Sequence, residues 1–194
     1  MLRIEHKGGD ALRVLLPELA HLRIEVFHDW PYLYDGTLAY EEVYLSHFLD
    51  APDHIAICAF DGDQLVGAAT ASPLIHQSED FTAPFRSAGI ALEPIFYFGE
   101  SVLLPSYRGR GIGHAFFDGR EAHAQSLGFA KTSFCGVVRP SDHPARPTDY
   151  RPLDAFWRKR GYVPLEGIIG SFSWREIGQS EETPKPMQYW GRGF

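Results

Sequence analysis

The chain has 194 residues, of which 44% are hydrophobic and 14% aromatic, and this composition suits one domain with a sizeable core. A formal net charge of −7 argues against general nucleic-acid binding, which needs basic surfaces. No apolar run approaches the roughly 20 residues of a membrane-spanning helix, and the first residues lack the apolar core of a secretion signal. We therefore expect a cytoplasmic protein that binds neither nucleic acid nor membrane.

The first half of the chain alternates between helical and strand-like hydrophobic patterns. The predicted elements are a strand at 2–6, a helix at 12–27 that Pro17 interrupts, a helix at 38–48, and strands at 54–60 and 65–71. Thr37 is a candidate N-cap for the second helix, and residues 61–64 are typical of a hairpin turn. A long connection at 72–93 follows, with a helix start at Ser78, and connections of this length are often functional.

The second half of the chain continues the alternation of strands and helices. The predicted elements are a strand at 95–104, a helix from 112 that ends before Gly128, a strand at 131–138, a loop at 139–152, a helix at 153–160, and strands at 162–165 and 168–174. We expect one domain over residues 1–176. Residues 177–194 are expected to be a C-terminal extension that packs on the domain or on a partner subunit, which leaves a homodimer open.

A glycine-rich turn at 107–113 separates the strand at 95–104 from the helix that follows. Glycines let the backbone approach a ligand closely, and the first amides of a helix lack intrahelical partners at the positive end of its dipole. Such a turn binds phosphate groups. Its G-x-G-x-G spacing differs from the G-x-G-x-x-G of dinucleotide folds, and the chain has no Gly-Lys-Ser/Thr of a nucleotide-triphosphate loop.

These residues resemble the acyl-CoA signature of the GNAT superfamily of N-acetyltransferases. Arg108, Gly111 and Gly113 match Arg/Gln-x-x-Gly-x-Gly/Ala, and Leu-Leu-Pro at 103–105 stands where the family has V-x-P. Phe-Trp-Arg-Lys-Arg-Gly-Tyr at 156–162 resembles the second landmark, F-Y-x-K-x-G-F. The resemblance implies an α/β (α+β) fold, GNAT-like, with a mixed, mostly antiparallel central sheet flanked by helices. It also implies acetyl-CoA as the co-substrate.

The resemblance further implies which residues contact the cofactor. The pyrophosphate is expected on Arg108, Gly109, Arg110, Gly111, Ile112 and Gly113. Backbone groups of Ser101, Val102 and Leu103 are expected to pair with the pantetheine arm, which then lies beside the strand like an extra partner. Phe156, in the second landmark, joins the expected cofactor contacts. The side chain of Arg110 has two equal interpretations, a phosphate contact or a solvated surface charge.

Acetyl transfer needs a base that removes a proton from the amine and an acid that protonates the departing thiolate. Glu100 lies inside an apolar strand beside the expected thioester, where glutamates often act as the family's base. Many family members place a tyrosine acid where this chain has Trp157, whose indole cannot replace a phenol as an acid. Tyr150 is the preferred substitute, and Tyr162 or water are the alternatives.

The expected reaction moves an acetyl group to a primary amine, and a small cationic molecule is the favoured acceptor. The first two predicted helices, the aromatic loop 30–36 and the connection 72–93 are candidate acceptor walls. Acidic residues concentrate in this region and suit a cation, although the solvated faces of two helices are the slightly preferred explanation: Glu25, Asp29, Asp35, Glu41 and Glu42. Two alternatives stay open, namely a non-catalytic acyl-CoA-binding or sensing module and an acetyltransferase for protein lysines or N-termini.

The cysteines and histidines of the chain do not predict a metal site. Cys58 and Cys135 each lie in a strand-like run, and two buried thiols are a better interpretation than a disulfide or a metal site. The nine histidines show no metal-ligand spacing. We therefore expect no metal cofactor.

Overall fold

A computed structural model describes residues 1–194 of the chain. The strands are β1 (Leu2–Lys7), β2 (Ile55–Asp61), β3 (Gln64–Pro73), β4 (Ile95–Leu103), β5 (Lys131–Val137), β6 (Val163–Arg175) and β7 (Glu182–Arg192). The helices are α1 (Gly9–Arg13), α2 (Leu16–His28), α3 (Leu38–Asp50), α4 (Glu79–Ser87), α5 (Ile112–Ser126) and α6 (Asp154–Lys159). None of these helices combines the length and the apolar character needed to span a bilayer.

All seven strands form one sheet in the order β1-β2-β3-β4-β5-β7-β6. Neighbouring strands are antiparallel except for β4 and β5, which are parallel because helix α5 connects them as a crossover. The predicted mixed, mostly antiparallel sheet flanked by helices is therefore confirmed.

Strand β2 shows why the central strands are apolar on both faces. Ile57 and Ala59 pack into a core that includes Phe116 of α5. The intervening Ala56 and Cys58 pack into a second core with residues of α2 and α3. Successive side chains of a strand point to opposite faces, so helices on both faces of the sheet require a nearly continuous apolar run.

The C-terminal third differs from the sequence-based expectation. The two strands predicted at 162–165 and 168–174 form the single strand β6, whose register against β7 shifts between Pro164 and Ile169. Residues 177–194, expected to be an extension, supply β7, which lies between β5 and β6 in the sheet. Tyr189 and Trp190 of this strand are buried in the cores, so the sheet shows no boundary at residue 176.

The prolines of β7 explain why its sequence does not read as an inner strand. Proline cannot donate to the hydrogen-bond ladder and is confined to edges and bulges. Pro184 and Pro186 pair with β6. Strand β5 pairs with β7 only over residues 187–192 of β7, which follow both prolines. The first half of β7 therefore has one free edge, and both prolines lie in that half.

Candidate active site

Strands β4 and β5 separate and leave a wedge between them. They pair over only three positions, the last of which joins Tyr97 to Ser133. Beyond this point β4 continues to Leu103, paired on its other edge with β3, and β5 continues to Val137. One edge of β4 from residue 98 to 103 therefore has no strand partner. This edge contains Ser101, Val102 and Leu103, which are the residues predicted to pair with the pantetheine arm.

The glycine-rich turn lies at the end of this wedge, where β4 leads into α5. Five consecutive amides, from Gly109 to Gly113, donate to no acceptor within the protein, and the first bonded amides belong to His114 and Ala115. Gly109 and Gly111 have φ angles of +76° and +82°, in the left-handed region that favours glycine. The turn thus presents a row of free N–H groups at the positive end of a 15-residue helix, and such a row can bind an anion.

The two arginines of the turn lie differently. Arg108 is exposed, and its side chain makes no hydrogen bond or ion pair. Arg110 donates from Nη2 to the carbonyl oxygen of Ser106 at 2.9 Å, and its guanidinium lies 5.0 Å from the ring centroid of Tyr107. Tyr107 in turn donates to Asp61 at 3.1 Å. The contacts of Arg110 therefore stabilise the conformation of the loop, whereas the side chain of Arg108 is available to a ligand.

Of the second family landmark, residues 156–162, Phe156 lies near the glycine-rich turn and Trp157 packs against the core. Phe156 of α6 lies with its ring centroid 4.9 Å from that of His114, at the first turn of α5. Trp157 packs its ring 5.0 Å from both Phe134 and Trp190 and faces Gly136 of β5. Trp157 therefore fills space between α6 and the sheet, which is a packing role.

A bulge in β4 positions Glu100. Ala69 pairs with Ser101 and Ala71 pairs with Phe98, so Gly99 and Glu100 together oppose the single residue Thr70. Such a bulge re-aims side chains and is frequent beside active sites. A side chain at residue 99 would collide with the hydroxyl of Thr70, and glycine avoids this collision.

The carboxylate of Glu100 is buried, with one oxygen engaged and the other free. Its Oε2 lies 2.7 Å from Nη1 of Arg23, and the hydroxyl of Tyr44 donates to the same oxygen at 3.5 Å. Its Oε1 is buried and has no hydrogen-bond partner. Burial of an unsatisfied polar atom is costly, so this oxygen is a candidate acceptor for a proton or a ligand N–H.

Arg23 links Glu100 to a second buried carboxylate. Its Nε donates to Glu41, which also accepts a hydrogen bond from Tyr34 at 2.9 Å. Burial alone lowers the pKa of Arg23, but the charges of Glu100 and Glu41 outweigh this effect and raise the pKa above its usual range. The pKa of Tyr44 is also raised, first by burial and then by the charge of Glu100. One cation between two carboxylates leaves a net negative charge on this side of the bulge.

The structure does not bring Tyr150 to Glu100. Tyr150 lies in the loop after β5, with its ring centroid 5.9 Å from that of Trp30 and 5.5 Å from the guanidinium of Arg146. Burial, and then the charge of Asp154, raise the pKa of its phenol. A role for Tyr150 as the acid stays a prediction.

A small cleft of about 90 Å³ opens beside the bulge, on the same side as Tyr44. Gly99, Thr70 and Tyr97 line its inner part, and His47 and His76 lie among its exposed residues. The cleft includes part of the connection 72–93, which was predicted as an acceptor wall.

The acidic residues expected around an acceptor do not line this cleft. Glu41 is bound to Arg23, and Asp35 pairs with Arg175 at 2.9 Å. Glu25 lines a different depression together with Glu18. The carboxylate of Glu100 does not line the cleft itself, but Tyr44, which does, donates a hydrogen bond to it.

Sequence reasoning missed Arg23 and Tyr44, and it named Glu41 as an acceptor residue rather than as a partner of Arg23. The signal for Arg23 is its position in a helical repeat whose neighbouring members, Leu19, Leu22 and Val26, are apolar. Both cysteines are free thiols, Cys58 buried and Cys135 partly buried. No group of three or more His, Cys, Asp and Glu side chains is arranged to hold a metal ion.

Comparisons with known proteins place this geometry in a family. The model of the Acetyltransferase (GNAT) family matches residues 19–162, which is most of the chain. No curated protein sequence matches the chain.

Solved structures show the same fold at low identity. A ribosomal-protein-alanine N-acetyltransferase from Brucella melitensis is 14% identical, with a TM-score of 0.61 and 98% of each chain covered. An acyl-CoA N-acyltransferase from Pseudomonas aeruginosa is 17% identical, with a TM-score of 0.59 and 99% of each chain covered. An aminoglycoside 6′-N-acetyltransferase complexed with coenzyme A is 18% identical, with a TM-score of 0.58 and coverage of 97% of this chain and 96% of that chain. Because the family model covers well over half of its length, the chain belongs to the GNAT family of acetyltransferases.

Proposed function

We propose that the protein transfers the acetyl group of acetyl-CoA to the primary amine of a small molecule. The observation that carries this proposal is the row of five unbonded amides from Gly109 to Gly113 at the start of α5, beside the open edge of β4. The family uses acetyl-CoA, and this row suits its pyrophosphate. Arg108, which has no partner within the protein, adds a charged donor to the phosphates.

The open edge of β4 supports a place for the rest of the cofactor. The pantetheine arm contains two amide groups, which can pair with backbone groups of Ser101 to Leu103 as an added strand would. This pairing carries the thioester along β4 toward the bulge at Gly99 and Glu100. Holding the thioester in one orientation lowers the entropic part of the barrier.

Glu100 is the base in the proposed reaction. Its free Oε1 accepts a proton from the acceptor ammonium, directly or through one water, and the neutral nitrogen then attacks the thioester carbonyl carbon. A carbon–nitrogen bond forms while the carbon–sulfur bond breaks. The attacking nitrogen is then positively charged and gives up its second proton. The departing thiolate takes a proton from water or from Tyr150, and the proton released by the nitrogen restores that donor.

The cleft beside the bulge supports a small acceptor. Its volume of about 90 Å³ fits the amine-bearing end of a molecule rather than a folded protein surface. The net negative charge of the cluster formed by Arg23, Glu41 and Glu100 favours a cationic amine at its mouth. The single free carboxylate oxygen fits one ammonium group.

Turnover with a panel of acceptors tests the proposal. Release of the free thiol from acetyl-CoA is measured with small primary amines, with peptides that carry a free N-terminus or a lysine, and without acceptor. We expect thiol release that depends on a small amine. Release that depends only on peptides would favour a protein acetyltransferase, and cofactor binding with no acceptor-dependent release would favour a non-catalytic acyl-CoA-binding module.

A further inference from the structure

Arg120 is a buried cation that the reaction described above does not use. Its side chain is 1% exposed and lies on the third turn of α5. It forms no ion pair, in contrast to Arg23 on the opposite face of the sheet. Its guanidinium packs over the rings of Phe98 and Phe117, at 4.4 Å and 4.9 Å from their centroids.

The hydrogen bonds of Arg120 converge on the bulge in β4. Nη1 donates to the carbonyl oxygens of Thr70 and Glu100, each at 3.3 Å, and Nη2 donates to Oγ of Ser101 at 2.9 Å. Nε donates to the carbonyl oxygen of Phe116 on its own helix at 3.2 Å. Thr70 and Glu100 are the residues that face each other where the register of β3 and β4 shifts. A bulge leaves ladder groups unpaired, and Arg120 supplies donors to two of them.

Arg120 and Glu100 lie on opposite faces of the sheet. Ser101 faces α5 and bonds to Arg120, whereas the neighbouring Glu100 faces α2 and bonds to Arg23. Neighbouring side chains of a strand alternate between faces, so the conformation that Arg120 fixes also determines the direction of the Glu100 carboxylate. The same conformation determines which backbone groups of β4 face the wedge.

We propose that Arg120 is a positioning residue for acetyl transfer, which holds the β4 bulge so that Glu100 Oε1 and the free edge of β4 meet the acceptor and the thioester in the correct relative orientation. The inference rests on the proposed function. It assigns to Arg120 an effect on the chemical step and none on the phosphate site, which lies about two turns earlier, at the start of α5.

The charge of Arg120 supports this role. Burial lowers the pKa of Arg120 to about 10, and the charges of Tyr162 and Glu100 oppose the effect, so the side chain remains a cation at neutral pH. A buried cation without a counter-ion destabilises a fold, and an apolar side chain would fill the site at lower cost. The cation lies behind the strand segment where negative charge develops on the thioester oxygen, and positive charge there lowers the barrier.

Three variants test the inference. Arg120→Gln removes the charge and most donors, and Arg120→Lys keeps the charge and one donor group. Ile57→Ala removes buried core volume on β2, which pairs with β1 and β3 but not with β4. For each variant, kcat and the KM for acetyl-CoA are measured together with the thermal unfolding midpoint. We expect Arg120→Gln to lower kcat about 10²-fold with KM within about threefold, the loss typical of misplaced reacting groups. Arg120→Lys is expected to keep roughly a tenth of the wild-type kcat, clearly below wild type. Ile57→Ala is expected to lower the midpoint while retaining kcat.

Each alternative outcome overturns the inference. A folded Arg120→Gln variant with kcat within about threefold of wild type shows that the bulge does not need Arg120 for catalysis. A rise in KM that accounts for the whole effect assigns Arg120 to cofactor binding instead. If Arg120→Gln does not fold, Arg120→Lys decides: wild-type kcat/KM in a destabilised Lys variant means that the role is structural only. The acceptor panel with the wild-type protein distinguishes a failure of the proposed function from a failure of this inference. If the wild-type protein shows no amine-dependent turnover, both are overturned.

Discussion

Glu100 is the residue on which the proposed reaction depends. It combines a free carboxylate oxygen with an ion pair that fixes the other oxygen, at the one irregular step between β3 and β4. Desolvation of two buried charges offsets much of the attraction between them, so such an ion pair contributes little to stability. The arrangement is therefore better explained by the need for a carboxylate held in one direction than by stability.

Replacing the carboxylate of Glu100 tests its role as the base. Glu100→Gln keeps the shape of the side chain but cannot accept the proton, so kcat should fall by roughly 10²-fold while affinity for acetyl-CoA stays nearly unchanged. Glu121→Gln is the matched control, since Glu121 is also bound by arginines, Arg160 and Arg192, but lies away from the bulge. Steady-state kinetics would contradict the assignment if both variants lost the same small fraction of kcat.

The proposed phosphate site can be tested by comparing substitutions at the two glycines that flank α5. Gly111 and Gly128 flank α5, with φ angles of +82° and +85° and no atom within 4 Å of a Cβ at either position. Gly111→Asp places a negative charge among the free amides and should abolish binding of acetyl-CoA. Gly128→Asp introduces the same backbone strain, about 1–2 kcal/mol, at the opposite end and should leave binding intact. Calorimetry that gives both variants the affinity of wild type would remove the phosphate site from this turn.

At the scale of elements, local patterns determined the segments that the sequence could predict. The hairpin at 61–64, the N-cap Thr37 and the strand–turn–helix at 95–126 follow from spacing, capping and glycine placement, and the structure confirms them. The placement of β7 depends on pairing with β5 and β6, which no local pattern encodes. The cluster of Arg23, Glu41 and Glu100 is missed for the same reason, since it joins three elements that are distant along the chain.

Gln188 of β7 explains why β6 is one strand. The sequence around Gly167 reads as a turn between two strands, but Nε2 of Gln188 donates to the carbonyl oxygens of Leu165 and Ile168 at 2.9 Å and 3.3 Å. This side chain satisfies the backbone groups that the irregular register leaves without ladder partners. Gln188→Leu should therefore lower the free energy of unfolding by about 1–3 kcal/mol.

A second glutamine provides the control for this prediction. Gln64 is exposed at the β2–β3 hairpin and makes no side-chain hydrogen bond, so Gln64→Leu should change stability by less than about 0.5 kcal/mol. Urea unfolding of both variants measures the difference. Equal stabilities of the two variants would mean that β6 does not depend on the Gln188 amide.

For the whole molecule, the candidate site forms at a segment of β4 that side chains from helices on both faces of the sheet contact. Helix α2 brings Arg23 to one face of the β4 bulge, and helix α5 brings Arg120 to the other. The same helix α5 supplies the free amides of the phosphate site. The proposed cofactor site, the bulge and the cleft thus all depend on the central sheet. Conditions that unfold the sheet therefore also remove the site.

Buried tyrosines should limit that stability at alkaline pH. Tyr97, Tyr162 and Tyr189 are at most 3% exposed, and burial raises the pKa of each phenol above its usual value of 10.0. Above pH 10 the unfolded chain loses these protons while the folded protein keeps them, so the free energy of unfolding falls as pH rises. Below pH 10 both states keep the protons, and the contribution to stability is fully present.

The size of the alkaline effect follows from the number of groups. Each fully buried tyrosine contributes about 1.4 kcal/mol per pH unit, or about 4 kcal/mol per unit for the three together. Arg120 opposes them with at most about 1.4 kcal/mol per unit, because its pKa of about 10 in the folded protein lets it lose a proton first. Burial also raises the pKa of the Cys58 and Cys135 thiols from 9.0 to about 12, so the unfolded chain begins to lose protons near pH 9. Urea unfolding between pH 8 and 11 should therefore show a decline that begins near pH 9 and becomes steeper above pH 10. Tyr189→Phe should lose the hydrogen bond to Phe81 but show a shallower slope, whereas an unchanged slope would mean that these phenols do not govern alkaline unfolding.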